Sequence, residues 1–249
     1  MLLPIGDQPN PRGLAPVTIL LIMANVAVFV MLTMPLSAVP PDPRDPLLAA
    51  YVQAIAPHLP AGMTLPSFLQ QISAYDLIVF EYGYRAAAPS AVSLFTAMFL
   101  HANLMHLLGN MLFLWIYGDN VEHRLGPFRF LFWYLATGVA ATLAHAFFAS
   151  GSQIPMVGAS GAISGVLGFY LIWFPRNKVR FLVLIPFFVH VVLVPAWIAL
   201  GFYLLIDNLL PFLAVPGGTG VAYGAHIGGF IAGMAVALLK GGGRRTGRL

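Results

Sequence analysis

The sequence predicts an all-α, polytopic membrane protein built as a bundle of six spanning helices. Three observations lead there. Of the 249 residues, 59% are hydrophobic and only 8% charged, against about a quarter charged in ordinary soluble domains. Apolar runs close to the ~20 residues needed to cross a bilayer recur along the chain. The basic residues gather in the short segments between alternate runs. A single domain over residues 1–249 is the simplest organisation for this length, with a short tail 1–15, an outer loop 35–100 and a basic tail 240–249.

The six runs are 16–34, 101–118, 128–148, 158–174, 181–206 and 221–239. The first has no strongly basic stretch before it, so it reads as a retained helix and not a cleaved signal. The fourth is short, which fits a span of a thin region or a helix that starts below the surface. With the N-terminus inside, the inner segments carry Arg12, Arg124, Arg129, Arg176, Lys178, Arg180, Lys240, Arg244, Arg245 and Arg248. Only Arg44 and Arg85 fall outside. This asymmetry places both termini in the cytoplasm, and the compact form of the chain fits a bacterial plasma (inner) membrane. The net charge of +4 is then an orientation signal, and no nucleic-acid partner is expected. The chain has no cysteine, which excludes disulfides, thiolate nucleophiles and cysteine metal sites.

The outer loop opens with Pro40-Pro41-Asp42-Pro43-Arg44-Asp45-Pro46, an extended segment. Leu47, Leu48, Tyr51, Val52 and Ile55, then Leu65, Phe68, Leu69 and Ile72, have the spacing of short amphipathic helices. So apolar a loop is expected to rest in the membrane interface or to pack on the bundle.

Polar groups inside spans are costly, and each is a functional candidate. His106 and Asn110 in the second run lie four apart, on one helix face. Gly158-Ala-Ser160-Gly161 opens the fourth run, where free backbone N–H groups and the positive end of the helix dipole suit a developing oxyanion beside a serine. Ala225-His226 and the small residues Gly229 and Gly233 belong to the sixth run. Their Gly-x-x-x-Gly face lets another helix approach closely, and Ser160, Ser164 and Gly168 supply a matching face. His106, Ser160 and His226 all fall within about five residues of the outer ends of their runs, at most ~8 Å of helical rise. A serine, a histidine and two hydrogen-bonding groups in one layer are the set that acyl transfer needs.

With these motifs in this order, the chain resembles the rhomboid family of intramembrane serine proteases over residues 96–239. The family's patterns stand here as His101, His106 and Asn110; as Gly158 to Gly161; and as Ala225, His226, Gly229 and Gly233. The turn Gly118 to Gly126 is also similar. The resemblance implies a Ser160–His226 dyad, oxyanion stabilisation by His106 and Asn110 with the Ser160 N–H, and cleavage of transmembrane protein substrates near the outer face. No cofactor is expected, and no metal: His101, His106 and His226, two of them five apart on one run and the third remote, do not make a recognised zinc pattern. Two positions depart from the family: Val92-Ser93 stand where many members carry Trp-Arg, and Ser164 stands where many carry an aromatic residue.

Other polar residues receive structural readings. Glu122 with Arg124 is expected to fix the inner turn between the second and third runs. Asp207 and Asn208 are read as a cap or loop contact closing the fifth, and His145 as a structural histidine. Two further function classes compete with a protease: a catalytically inactive relative that binds membrane proteins, and a small transporter. The first would usually lack the serine or the histidine. The second leaves Gly-x-Ser-Gly at a helix start unexplained.

Overall fold

The computed structural model describes residues 2–59, 62–185, 188–214 and 221–241. Arg244, Arg245 and Arg248 of the basic tail lie outside the described residues. The chain is mostly helical and divides into two compact units. One comprises Met1–Ile22, Leu108–His145 and Ser160–Leu249, the other Met23–Leu107 and Ala146–Ala159. Among the described residues, three helices are long and apolar enough to cross a membrane: α1 (Pro16–Ser37), α7 (Pro127–Phe148) and α9 (Ala196–Ala214).

In the first unit, α8 (Ser160–Trp173) is the central element. Every side chain from Ala162 to Tyr170 is buried. Its 14 residues rise only ~21 Å, well short of a ~30 Å hydrocarbon core. A helix that short is polar-compatible at its start and enclosed by its neighbours. It packs on α10 (Tyr223–Leu239) through backbone, with no side chains between. A Cβ on Gly229 would collide with the carbonyl oxygen of Gly161, one on Gly233 with that of Gly165, and one on Gly168 with that of Phe230. The α8 side of this seam is therefore Gly161, Gly165 and Gly168: Gly168 is as expected, and the first two positions are one residue off the expected Ser160 and Ser164. α7 closes on the same seam: a Cβ on Gly161 would meet Ala141 at 2.7 Å, and one on Gly165 or Gly228 would overlap Thr137 or Ala144.

The expected fifth run, 181–206, is not one helix. Residues Lys178–Ile185 (β2) and Phe188–Pro195 (β3) form an antiparallel hairpin, and the helix begins only at Ala196. Val179, Val183, Val189, Val191, Val192 and Val194 explain this: β-branched residues favour a pleated ladder. Run length alone hid it. The N-terminal tail is also structured. Leu2–Gln8 (β1) pairs antiparallel with β2, giving a three-stranded sheet in the order β1-β2-β3.

Glu122, on α6 (Leu104–Leu125), is buried and does something other than fix its own turn. Its carboxylate accepts from Val17 N (2.9 Å), Thr18 N (2.7 Å) and Thr18 Oγ1 (2.8 Å). It therefore caps the free N–H groups and the positive dipole at the start of α1. The turn between α6 and α7 is made by Gly126, at φ 80°. Nearby, buried Asp7 of β1 accepts hydrogen bonds from Asn120 Nδ2 (2.8 Å) and from the Tyr170 hydroxyl.

In the second unit the loop forms short helices at the two places its apolar spacing predicts, α2 (Pro46–Ile55) and α3 (Leu65–Leu69), and two more that the spacing does not predict, α4 (Ala74–Tyr82) and α5 (Ser93–Thr96). Asp45 caps α2 by accepting from Leu47 N, and capping boxes start α3 at Thr64 and α4 at Ser73. Phe68, Tyr75, Leu77, Phe80 and Met98 are buried. Ser93 is buried too, its hydroxyl donating to Ser90 O at 3.0 Å, while Thr96 Oγ1 donates to Tyr82 O at 2.7 Å. These two hydroxyls tie the loop's end down where a Trp-Arg pair is missing.

Two measurements follow. Gly233→Ala should lower the thermal stability of the detergent-purified protein by about 1–3 kcal/mol, the usual cost of overpacking. Gly109→Ala, whose added Cβ meets nothing within 4 Å, should not lower it and should raise it by up to about 1 kcal/mol, the helix-interior preference for Ala over Gly. Burial pushes the Asp7 carboxyl up from 3.8 to about 6. The folded state then holds this proton more tightly than the unfolded chain, so that stability is full below ~3.8 and is lost as pH rises through about 6. The melting temperature of Asp7→Asn minus that of wild type should increase from pH 4 to pH 6 and then level off. A flat difference would show that the carboxyl titrates normally.

Candidate active site

Ser160 is the first residue of α8. The chain enters through Gly158, at φ 124°, a backbone conformation closed to side chains with a Cβ. The turn leaves Ser160 at a helix start with unpaired N–H groups. His226 lies in the first turn of α10. Because the glycine seam draws these two helices together, His226 Nε2 and Ser160 Oγ come within 2.7 Å.

The other ring nitrogen is held as well. His226 Nδ1 is 2.7 Å from Asn208 Oδ1. Asn208 belongs to a π-helical stretch, Tyr203–Leu209, inside α9, and is 2% exposed. Its Nδ2 donates to the Tyr203 carbonyl at 2.7 Å. That bond fixes the amide: a carbonyl only accepts, so Nδ2 faces Tyr203 and Oδ1 faces the imidazole. Oδ1 also only accepts, so the proton of neutral His226 resides on Nδ1. Nε2 is left with its lone pair toward the Ser160 hydroxyl. This is the tautomer a base needs.

Ser164, one turn into α8, meets the Tyr203 hydroxyl at 2.7 Å. The Tyr203 ring lies 6.2 Å from Phe230 and 6.0 Å from Phe113. An aromatic ring thus reaches this layer from α9, with its hydroxyl on Ser164.

Asn110 is buried on α6, and among the described residues its Nδ2 has no hydrogen-bond partner. A buried donor left unpaired is expensive and calls for an explanation. His106 precedes it by one helical turn, with its backbone N–H on Asn103 Oδ1 at 2.9 Å and its ring 5.1 Å from that of fully buried His101. Among the described residues no three metal-ligating side chains come together. Asn208, expected as a cap or loop contact closing the fifth run, instead lies within α9 and holds His226, a role the sequence does not signal. One asparagine near the end of an apolar run has no motif around it, and the fifth run was itself misread as starting in the hairpin.

Residues 88–242 match the family described as Rhomboid domain. The chain belongs to the rhomboid family. It is similar to Rhomboid protease GluP of Bacillus subtilis, 37% identical over 149 residues that cover 60% of this chain and 27% of that protein. It is similar also to Rhomboid protein 1, mitochondrial, of Saccharomyces cerevisiae, 30% identical over 119 residues (46% and 33% of the two chains). Rhomboid-like protein 11, chloroplastic, of Arabidopsis thaliana is 34% identical over 117 residues (45% and 41%). The matches thus span between about a quarter and two fifths of these relatives' own length. Rhomboid membership and the apolar helices make this a multi-pass membrane protein.

The tautomer is directly measurable. With ¹⁵N-labelled histidine, the signals of neutral His226 should show a protonated Nδ1 and a bare Nε2. Asn208→Ala should mix in the opposite tautomer. An Nε2–H signal in the wild type would contradict the assigned orientation.

Proposed function

We propose that this chain is an intramembrane serine endopeptidase that cuts transmembrane segments of membrane proteins near the outer face. The observation that carries the reading is the contact between Ser160 Oγ and His226 Nε2, with Nδ1 fixed by Asn208. The Ser160 oxygen attacks the scissile carbonyl carbon while its proton passes to Nε2. The resulting oxyanion takes hydrogen bonds from the Ser160 backbone N–H and from Asn110 Nδ2, a donor without a partner among the described residues. His106 is assigned a share in this role by its place one turn before Asn110 on α6.

The imidazolium then returns its proton to the leaving nitrogen, the C–N bond breaks and an acyl-serine remains. Water attacks this ester, again losing a proton to Nε2, and the acid product leaves as Ser160 regains its hydrogen. Asn208 touches no reacting atom; it is a positioning residue that acts through His226.

The same proposal includes six spans, one membrane domain, both termini in the cytoplasm and a bacterial inner membrane. The clustering of basic residues on alternate segments supports the orientation. That GluP carries the name of a rhomboid protease supports the activity.

Labelling with a fluorophosphonate, followed by intact mass, tests the chemistry. Wild type should take one adduct and Ser160→Ala none. His226→Ala should label about 10²–10⁴-fold more slowly, and Asn208→Ala about 3- to 10-fold more slowly, the worth of one hydrogen bond. Absence of an adduct on folded wild type would favour a non-catalytic membrane-protein binder.

A further inference from the structure

The helix ends away from Ser160 hold a feature that peptide hydrolysis does not use. α8 runs from Ser160 to Trp173, about 20 Å of rise. Beside Trp173 opens a cleft of about 230 Å³ lined by Arg124, Leu125, Arg129, Trp173 and Lys240. Three of these five side chains are cationic and none is acidic. Among the described residues, no carboxylate forms an ion pair with them. The Arg124 guanidinium lies over the Trp173 ring at 4.4 Å and donates to the Gly241 carbonyl at 3.2 Å. The Lys240 ammonium lies over Trp133 at 5.3 Å. Two of the three cations are therefore held in place by aromatic faces. Like charges gathered around one cleft repel each other until an anion joins them.

The rim identifies that anion. Phe128, next to Arg129, is 88% exposed; Leu239, next to Lys240, is 87% exposed; and Phe132, one turn along α7, is 60% exposed. Tryptophan beside arginine and lysine marks the headgroup level of a membrane protein, with apolar side chains continuing into the hydrocarbon. We propose that this cleft binds the phosphate of an anionic phospholipid, whose acyl chains lie along Phe128, Phe132 and Leu239. A free phosphate matches the cations but leaves the apolar rim without a complement, so the lipid is the better fit. The site is separate from the dyad.

The test uses the full-length chain in a neutral detergent, carrying Ser160→Ala so that the result is independent of the protease reading. Native mass spectrometry follows adducts as dioleoylphosphatidylglycerol or dioleoylphosphatidylcholine is titrated in. Phosphatidylglycerol should bind at least about tenfold more tightly than phosphatidylcholine. Each cation near a headgroup is worth about a factor of five. Arg129→Gln should therefore weaken phosphatidylglycerol about fivefold, and Arg124→Gln, Arg129→Gln and Lys240→Gln together on the order of 100-fold. Millimolar inorganic phosphate should not displace the lipid. Equal binding of the two lipids, or undiminished phosphatidylglycerol binding in the triple variant, would overturn the proposal. So would displacement by phosphate, which would mark a free-anion site. If the triple variant melts well below wild type, Arg129→Gln decides alone, since Arg129, unlike Arg124 and Lys240, lies over no aromatic ring among the described residues.

Discussion

The closeness of α8 and α10 is the constraint on which the rest of the first unit depends. Gly229 and Gly233 face the carbonyl oxygens of Gly161 and Gly165 with no room for a methyl group between them. In lipid there is no hydrophobic drive to press helices together, so dispersion and weak backbone contacts must act at very short range. Small residues make that range accessible. The consequence is chemical as well as mechanical. A serine at the start of one helix and a histidine in the first turn of the other end up at hydrogen-bonding distance. The seam also defines the role of α7, whose Ala141, Thr137 and Ala144 pack where any larger side chain would separate the pair.

Much of this was legible in the sequence because glycine, serine and histidine carry their meaning through spacing. Gly229 and Gly233 at a four-residue interval announce a close helix face, and Ser160 behind Gly158 announces a helix start. Even so, the matching face on α8 was read one residue out of register, as Ser160 and Ser164 and not Gly161 and Gly165. Hydroxyl and hydrogen are equally small to a pattern, and only packing tells them apart. Residues 181–195 of the hairpin read as helix in the sequence because a run of apolar residues has no period to betray it, and length outweighs the valines. Glu122 was placed in its own turn because its true partners, Val17 and Thr18, are more than a hundred positions away.

Asn208 shows a different limit. Nothing within a few residues of it signals a partner for a histidine eighteen positions on. Its placement depends on the π stretch Tyr203–Leu209. An extra residue in a helical turn rotates everything after it, so a side chain that a regular α-helix would send elsewhere is directed to the site. π stretches are often found at functional positions. In this one, the amide reaches back to Tyr203 O as well as across to His226, so the stretch both delivers Asn208 and fixes which way its amide points.

The choice of a neutral asparagine over a carboxylate fits the surroundings. An aspartate at the same place would attract the imidazolium of the proposed acyl transfer more strongly. It would also bring a formal charge into a buried position between helices, with a desolvation cost of several kcal/mol when no partner charge is present. In the proposed reaction the proton reaches His226 only during acyl transfer, so the carboxylate would have no cationic partner outside that step. An amide supplies the geometric part of the job, the tautomer and the ring orientation, at no cost in charge. It gives less electrostatic help to the imidazolium in return. Asp207, the neighbouring residue, is exposed, so the one carboxylate close in sequence is turned away from the buried position that Asn208 fills. In a site bounded by lipid, where every permanent charge is expensive and a transient one is tolerable, holding a base with a dipole is the arrangement that low dielectric favours.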